Sequence, residues 1–265
     1  VSGARFGYLK GDAVLLEFAL IQFGLETLIK EGFIPVVPPV LVTKEVMKGL
    51  GYMENGGEED MYHLEKDDMY LVGTAEHALV PMHKDEVLSA KDLPIRYVGF
   101  SSAFRREAGS YGKDTKGILR VHQFDKLEMV SFVKDGEDDK EHEYLLSLEE
   151  KLFKALEIPY QVVKMCSGDL GFPAARKYDL EAWMPGQGKY REVTSVSTVT
   201  DFQSRRLNIK YQDGNDKKYV NILNGTGFAF GRTIIAILEN YQKEDGSIEI
   251  PKVLQKYIGK STIKE

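Results

Sequence analysis

The sequence has neither the cysteine pairs that would allow a disulfide nor the long apolar run of a membrane-spanning helix. It has a single cysteine, Cys166, which excludes an internal disulfide and favours a reducing compartment. Its apolar run from Phe33 to Val42 is interrupted by prolines and is shorter than the ~20 residues of a membrane-spanning helix. The first residues carry no apolar segment of the kind found in a secretory signal. We therefore expect a cytoplasmic protein with no membrane association.

The common glycine-rich phosphate-binding motifs are also missing. There is no G-x-x-x-x-G-K-[ST] loop, which argues against phosphate binding of the P-loop kind. The run Gly225-Thr226-Gly227, followed by Gly231, does not have the dinucleotide-binding spacing. The histidines are scattered and the cysteine is alone, so a zinc site has little support. A nucleotide bound here must therefore be held by side chains.

Positive charge is in deficit. The chain has 35 Lys and Arg against 41 Asp and Glu, a net charge of −6, whereas a surface that binds nucleic acid unaided is normally basic. Contact with RNA would use a local patch or a further module. With 265 residues, 43% of them apolar, the chain is long enough to bury the core of one large domain.

The hydrophobic pattern predicts many strands and few long helices. The clearest helix runs from about Asp12 to Lys30, with Asp12 as a good N-cap and Gly32 where a C′ glycine belongs. A second helix follows the charged segment 134–143 and closes at Pro159. The first helix buries a stripe that includes Leu16, Leu20, Phe23 and Leu28.

The predicted strands follow one another mostly without intervening helices. This order predicts an antiparallel β-sheet flanked by helices, an α+β fold, and a single domain over residues 1–265. The predicted strands include 33–37, 95–100, 118–124, 126–133, 160–165, 178–184, 190–197 and 219–223.

A first polar cluster lies between Phe104 and Glu128. On a strand, Arg105 and Glu107 would point the same way, although such a pair is often only a surface ion pair. Phe124 and Glu128 also share parity, roughly 13 Å apart along one face. That span would suit a purine at one end and a small group at the other. Taken alone, Phe124 is more simply interpreted as a core residue. The Glu128 carboxylate, however, lies among apolar neighbours and needs polar partners.

Two further clusters carry polar groups. Glu192 and Ser195 could both present oxygen to a cation such as Mg²⁺, the alternative being a solvated strand edge. From Asn224 to Arg232, small residues precede an arginine at a predicted strand-to-helix junction, which favours close approach of a ligand. The alternative is a tight turn with an arginine at a helix start, which the helix dipole disfavours.

Together these clusters resemble the motifs of class II aminoacyl-tRNA synthetases, and most closely those of the seryl-tRNA synthetase family. The resemblance covers nearly the whole chain and implies the class II catalytic fold. Thr74-Ala75-Glu76 resembles the serine-binding loop of that family. The matching runs are Gly32–Pro39 in motif 1 (about 20–42), Phe104–Ser110 with Gly117 and His122–Glu128 in motif 2 (about 100–130), and Asn224–Thr233 with Leu238–Gln242 in motif 3 (about 220–242).

The resemblance implies roles for individual residues. Arg105 would bind the α-phosphate, Glu107 the adenine amino group, and Phe124 with Arg232 would sandwich the adenine ring. Glu192 and Ser195 would hold Mg²⁺ against the phosphates. The implied catalytic residues are Arg105, Glu192 and Arg232; the other ATP contacts are Val121, Val193 and Thr194; and serine would be surrounded by Thr74, Ala75, Glu76, Arg105, Glu128, Asn224 and Thr226.

The implied activity is that of a serine–tRNA ligase. The carboxylate of L-serine attacks the α-phosphorus of ATP to give seryl-adenylate and pyrophosphate, and serine then passes to the acceptor end of tRNA(Ser). The attacking carboxylate is already ionised, so catalysis is positioning and electrostatic stabilisation. Polar groups around the serine hydroxyl would reject alanine. Motif 1 implies a homodimer.

One expectation concerns the domains of the family, and two alternatives to the ligase function stay open. The family's N-terminal coiled-coil arm has no counterpart in this sequence, so we expect adenylate formation to be retained and tRNA charging to be weak. A synthetase-like ligase that loads an amino acid onto a carrier protein would instead use zinc and ignore tRNA. A non-catalytic regulatory module would have lost its ATP contacts.

Overall fold

The computed structural model of the protein describes residues 1–109, 112, 114 and 117–264. Ser110, within the second predicted motif, lies outside the described residues. The predicted α+β fold is confirmed: a large sheet that is mainly antiparallel is flanked by helices. The helices are α1 Asp12–Lys30, α2 Lys44–Leu50, α3 Glu76–Leu79, α4 Asp138–Ala155, α5 Phe202–Leu207, α6 Phe230–Tyr241 and α7 Lys252–Ile258. The strands are β1 Ile34–Val36, β2 Leu41–Thr43, β3 His63–Leu64, β4 Met69–Leu71, β5 Val87–Ser89, β6 Ile95–Phe104, β7 Gln123–Val133, β8 Tyr160–Lys164, β9 Arg176–Met184, β10 Lys189–Thr198, β11 Lys210–Asp213, β12 Asp216–Tyr219, β13 Asn221–Ala229, β14 Ile248–Glu249 and β15 Thr262–Ile263.

The main sheet has seven strands in the order β1-β6-β7-β13-β10-β9-β8. β1 runs parallel to β6, and the other neighbours pair antiparallel. The long central pair β6–β7 runs from Ile95 opposite Phe132 to Phe104 opposite Gln123. Because side chains alternate along a regular stretch of strand, β6 and β7 present odd residues to one face of the sheet and even residues to the other.

The sheet separates two hydrophobic cores. On one face Leu127 and Met129 of β7 join the larger core, which α1, α4, α6 and α7 cover. On the other face Val130 and Phe132 of the same strand join a second core with residues of α2, α3 and α5. The second core occupies one end of its face, so the remainder of that face is open to line a site.

Helix α1 spans the predicted residues and buries the predicted stripe of Leu16, Leu20, Phe23 and Leu28. Gly32 has φ +88°, as expected for a C′ glycine in the left-handed region. The predicted N-cap is wrong, because Gly11 holds that position and makes no side-chain cap. Asp12 lies in the first turn, where its carboxylate pairs with Lys260 at 2.5 Å.

Two strand predictions are wrong at their ends. Residues 118–122 form turns and irregular chain, and β7 begins at Gln123. β13 continues past Leu223 to Ala229, so Gly225 and Gly227 of motif 3 lie within a strand, whereas Gly231 lies in the first turn of α6. A Cβ at Gly225 would lie 3.2 Å from both Glu149 Oε1 and Met129 Cε, which explains why glycine stands in a strand there.

The short helices α2, α3, α5 and α7 escaped prediction, because four to seven residues are too few to show a helical period. Within the described part of the chain, no helix has the length and apolar character needed to cross a membrane.

Candidate active site

A cavity of about 470 Å³ opens on the sheet face that carries the second core. It lies over β7, β13, β10 and β9 and is closed at one side by residues that follow β4 and β6. Ala75 is absent from the lining; it is 1% exposed and packs in the second core. The predicted site residues that line the cavity are Thr74, Glu76, Arg105, Glu107, Val121, Phe124, Glu128, Glu192, Val193, Thr194, Ser195, Asn224, Thr226 and Arg232.

Arg105 and Glu107 reach the cavity by a different route from the one predicted. β6 ends at Phe104, and Glu107 has φ +57°, so the two residues do not share a strand face. Glu107 forms an ion pair with Arg120, which also lines the cavity. Arg105 donates from Nε to the Gly73 carbonyl at 3.1 Å. The turn after β6, and not strand alternation, brings both side chains to the site.

Arg105 also lies beside an aromatic ring. Its guanidinium carbon is 5.4 Å from the ring centroid of Phe124, within the range of a cation–π contact. Phe124 and Glu128 both line the cavity from the same face of β7, as predicted. A planar cation, a flat ring and a carboxylate therefore follow one another along this wall.

A β-bulge places Glu192 and Ser195 on the same face of β10. The register steps from Glu192 opposite Glu181 to Thr194 opposite Leu180, so Val193 is the extra residue. In a regular strand, residues three apart point to opposite faces. The added residue restores the match, and Glu192 and Ser195 both line the cavity.

Arg232 binds Glu192 twice. Its Nη1 donates to the Glu192 carbonyl at 3.0 Å and lies 3.2 Å from carboxylate atom Oε2. Burial would raise the pKa of Glu192, but Arg232, Lys177 and Arg105 outweigh it and the pKa is lowered. The carboxylate is therefore ionised at neutral pH. An ionised carboxylate and a hydroxyl facing one space suit Mg²⁺, which takes oxygen ligands and usually keeps others from water or phosphate.

Glu128 sits deep in the cavity with two partners. The Lys126 ammonium lies 2.6 Å from its Oε2, and the Thr226 hydroxyl donates to the same atom at 3.1 Å. Lys126 and Glu128 are 6% and 2% exposed. Burial lowers the pKa of Lys126 against the opposing effect of Glu128. Thr226 stands directly opposite Glu128 in the β13–β7 pair, so this contact follows from the register.

Glu76 is a second buried carboxyl in the cavity. It accepts hydrogen bonds from the Tyr52 hydroxyl, at 3.1 Å and 3.0 Å to its two oxygens, and from the Gln203 amide at 2.8 Å. Burial raises the pKa of Glu76, while Gln203 and Tyr52 act against that effect by hydrogen bonding. Neutral donors thus hold this carboxyl in place without neutralising it.

His77 is a neutral histidine beside the cavity. It is 4% exposed, accepts from the Gly73 amide at Nδ1 over 3.2 Å, and packs its ring 4.4 Å from that of Tyr52. Burial, with Arg105 and Lys126, lowers the pKa of His77 to about 3. Its Nε2 atom is buried and has no hydrogen-bond partner among the described residues.

Sequence reasoning missed several residues of this site. Lys126 could have been found, because it lies two residues before Glu128 and therefore shares its strand face. His77 follows directly on a predicted site residue. Tyr52, Arg120 and Gln203 carry no local signal, since they come from a loop, a turn and a short helix distant in sequence.

Comparisons with known proteins agree with this architecture. The family described as "tRNA synthetase class II core domain (G, H, P, S and T)" matches residues 61–241. The chain therefore belongs to that family.

Two relatives that are similar over nearly the whole chain are both named serine–tRNA ligase. The serine–tRNA ligase of Dictyoglomus thermophilum is 54% identical over 265 residues, which is all of this chain and 62% of the relative. That of Pyrococcus abyssi is 54% identical over 261 residues, 98% of this chain and 57% of the relative. The chain thus spans about three-fifths of the length of these relatives.

Solved structures give the same answer. Seryl-tRNA synthetase from Pyrococcus horikoshii, complexed with ATP, matches with a TM-score of 0.96 and 53% identity, covering 99% of this chain and 59% of that chain. The cytoplasmic serine–tRNA ligase from Naegleria fowleri, in complex with AMP, matches with a TM-score of 0.94 and 39% identity, covering 100% of this chain and 63% of that chain. The predicted class II fold is confirmed.

Proposed function

We propose that this chain is the catalytic core of a serine–tRNA ligase. It activates L-serine with ATP to seryl-adenylate and pyrophosphate and transfers serine to the acceptor end of tRNA(Ser). The observation that carries the proposal is one cavity that brings together an aromatic ring beside a guanidinium, Phe124 and Arg105, and two buried carboxyls, Glu76 and Glu128. The relatives named above support serine as the amino acid, and their ATP and AMP complexes support the nucleotide.

In the proposed reaction a carboxylate oxygen of serine forms a bond to the α-phosphorus of ATP. The bond from that phosphorus to the oxygen bridging to the β-phosphate breaks, and pyrophosphate leaves with the electron pair. The nucleophile is ionised at neutral pH, so no general base is needed. Arg105 lines the cavity as a fixed cation, and it stabilises the negative charge on the α-phosphate in the transition state.

Adenine is proposed to lie between Phe124 and Arg232, with its amino group on Glu107. An aromatic face and a guanidinium plane offer stacking and cation–π contacts to a purine. Val121, Val193 and Thr194 complete the proposed ATP contacts from the cavity wall. The ion pair of Glu107 with Arg120 fixes the proposed adenine contact in the turn that follows β6.

Magnesium is proposed to bind at Glu192 and Ser195. Their shared face and the ionised state of Glu192 fit a hard cation. When bound, the ion would neutralise part of the phosphate charge. Glu192 keeps its contact with Arg232 at the same edge, so this carboxylate also orients a cation of the protein.

Serine is proposed to bind among the buried carboxyls at the deep end. Glu76 and Glu128 offer carboxyl oxygens that can accept hydrogen bonds from its ammonium, and Thr226 offers a hydroxyl for its side chain. Thr74 and Asn224 line the same region. Alanine would leave such buried polar groups unpaired, which a polar site penalises strongly.

A direct test is serine-dependent exchange of pyrophosphate into ATP. With Mg²⁺ present, we expect exchange with serine and at least ~100-fold less with alanine at equal concentration. A folded sample that catalyses no exchange with serine would refute the proposal. Charging of tRNA(Ser), compared with loading of a carrier protein, then separates the ligase from the carrier-protein alternative.

A homodimer and a cytoplasmic location are also proposed. Large apolar side chains of α1 and of the region around edge strand β1 are exposed, with Phe18 at 62%, Ile34 at 53% and Val37 at 81%. Such a patch on a monomer marks an interaction surface, and it falls in the predicted motif 1. The exposed Cys166 thiol favours a reducing compartment.

A further inference from the structure

Glu149 is a fully buried carboxyl outside the cavity. It belongs to α4, which packs on the face of the sheet opposite the cavity, and it is 0% exposed. The Thr194 hydroxyl of β10 donates to its Oε2 at 2.7 Å. A buried charge or polar group of this kind is costly, so its presence among core side chains calls for a role.

The same carboxyl reaches the neighbouring strand β13. The Thr226 backbone interacts with it electrostatically, although Oε1 makes no hydrogen bond of full geometry with any described residue. Gly225 makes this approach possible, because a Cβ there would lie 3.2 Å from Oε1. One side chain of α4 therefore contacts two adjacent strands beneath the cavity.

Both contacts fall beside a β-bulge. Thr194 follows Val193, the extra residue of β10, and Thr226 precedes Gly227, the extra residue of β13. The first bulge sets Glu192 and Ser195 on the cavity face. The second adjoins Thr226, whose hydroxyl binds Glu128.

We propose that Glu149 is a positioning residue that holds these two bulges from the far side of the sheet. It thereby sets Glu192 and Ser195 for magnesium and ATP, and Thr226 for serine, without touching a substrate. This inference rests on the proposed function, whose residues it would position.

The burial of Glu149 indicates which protonation state of its carboxyl holds the two bulges. Burial raises the pKa of Glu149 well above its usual range, which favours the neutral acid. A neutral acid is imitated closely by glutamine, which has the same shape and one oxygen that can accept from Thr194. Leucine fills a similar volume and offers no acceptor.

The experiment compares Glu149→Gln, Glu149→Leu and Thr194→Val, with Leu152→Ala as the control. Leu152 is a fully buried residue of the same helix, and its truncation lowers stability without removing a polar contact. Serine KM and the Mg²⁺ concentration for half-maximal rate are measured by pyrophosphate exchange. The affinity for ATP is measured by calorimetry with and without Mg²⁺.

We expect Glu149→Leu to raise both serine KM and the Mg²⁺ midpoint about tenfold, because small displacements of reacting groups are costly. Thr194→Val removes the hydroxyl that donates to Glu149 and keeps the Thr194 backbone at the cavity wall. It is expected to raise the Mg²⁺ midpoint and weaken Mg²⁺-dependent ATP binding, while serine KM changes less than about twofold. Glu149→Gln restores wild-type values. Leu152→Ala lowers the melting temperature and moves neither midpoint.

Three results would overturn the inference: unchanged Mg²⁺ dependence in both Glu149→Leu and Thr194→Val, failure of Glu149→Gln to restore it, or an equal shift in Leu152→Ala. Absence of exchange in the wild-type chain would instead refute the proposed function. In that case the calorimetric comparison still tests the positioning of Glu192 and Ser195. If Glu149→Leu does not fold, Thr194→Val carries the test.

Discussion

The Lys126 ammonium lies 2.6 Å from the Glu128 carboxylate, and both side chains leave the same face of β7 into the buried end of the cavity. Each group neutralises the other where little water is present. Glu128 also accepts a hydrogen bond from the Thr226 hydroxyl at 3.1 Å, whereas the close ion pair of Lys126 is with Glu128.

Lys126→Met is therefore expected to lower the free energy of unfolding by about 3–5 kcal/mol, because it leaves a buried carboxylate without its partner. Urea denaturation at pH 7 measures the loss. The control is Lys84→Met: Lys84 pairs with Glu45 at a similar 2.7 Å, but on the surface. That variant is expected to unfold like the wild type, since surface pairs contribute little. Equal losses in the two variants would contradict this account.

Arg105→Ala is expected to reduce kcat/KM for pyrophosphate exchange by about 10²–10³, the usual effect of removing one group that stabilises the transition state. Arg106→Ala is the matched control. Arg106 is the next residue, is absent from the cavity lining, and lies 6.0 Å from the ring of Tyr62. We expect its rate to stay within about threefold of wild type, as for a group remote from the transition state. A similar fall in both variants would show that the turn, and not the Arg105 guanidinium, is responsible.

The stability of the fold is expected to fall in acid through His77. Its pKa is about 3 in the folded chain, against an ordinary value of 6.5. Between these values the unfolded chain binds the extra proton, so the free energy of unfolding decreases as the pH falls from 6.5 toward 3. At pH 4.5 this one group costs about 2–3 kcal/mol relative to neutral pH.

His77→Gln removes that cost while keeping a polar side chain. Urea unfolding at pH 7 and at pH 4.5 measures the acid-induced loss for wild type and variant. The loss is expected to be smaller in the variant by about 2–3 kcal/mol, because its side chain does not titrate. Other groups titrate equally in both proteins and cancel in the difference. An identical loss in the two would exclude a buried neutral His77.

Phe18→Glu is expected to disrupt the proposed homodimer. The wild-type chain of 29.9 kDa is expected to behave as a particle of about twice that mass in sedimentation, through its exposed α1 and β1 surface. A carboxylate at Phe18 would have to be buried in that interface, and the variant is expected to sediment as a monomer. Val162→Glu, at the opposite edge strand β8, is the control and is expected to remain dimeric. A monomeric wild type would refute the dimer.

The fold was accessible from the sequence because its main signals are local. The stripe of α1 and the succession of strands predicted a helix and an antiparallel sheet, and both are present. The ends of β7 and β13 were not accessible, for opposite reasons. Ile118, Leu119 and Val121 have the apolar character of a strand but lie in turns and irregular chain, whereas glycines weaken the strand signal in the second half of β13, where packing and not propensity decides. Gly225 is such a position: the approach of Glu149 from another element requires it.

Site residues that belong to a sequence motif could be predicted from the sequence. Site residues that only the tertiary fold brings to the cavity could not. Glu128 and Thr226 were predicted, and strand register places them together. Gln203 was not predicted as part of the site, although its amide holds Glu76 at 2.8 Å, because α5 lies far away in the chain. Alternation along a regular strand would place Glu192 and Ser195 on opposite faces of the sheet. The bulge at Val193, which puts them on one face, cannot be predicted from the local sequence.

The separation of two cores by one sheet has a consequence for how this sequence tolerates change. Along β7, Lys126 and Glu128 face the cavity, while Leu127 and Met129 face the larger core. Neighbouring positions of one strand are thus constrained differently: one by the chemistry of the cavity and the next by the volume available in the core. A library of single variants scored for both abundance and catalysis will alternate in phenotype from residue to residue along this strand, and the phase of that alternation will report which face each position occupies.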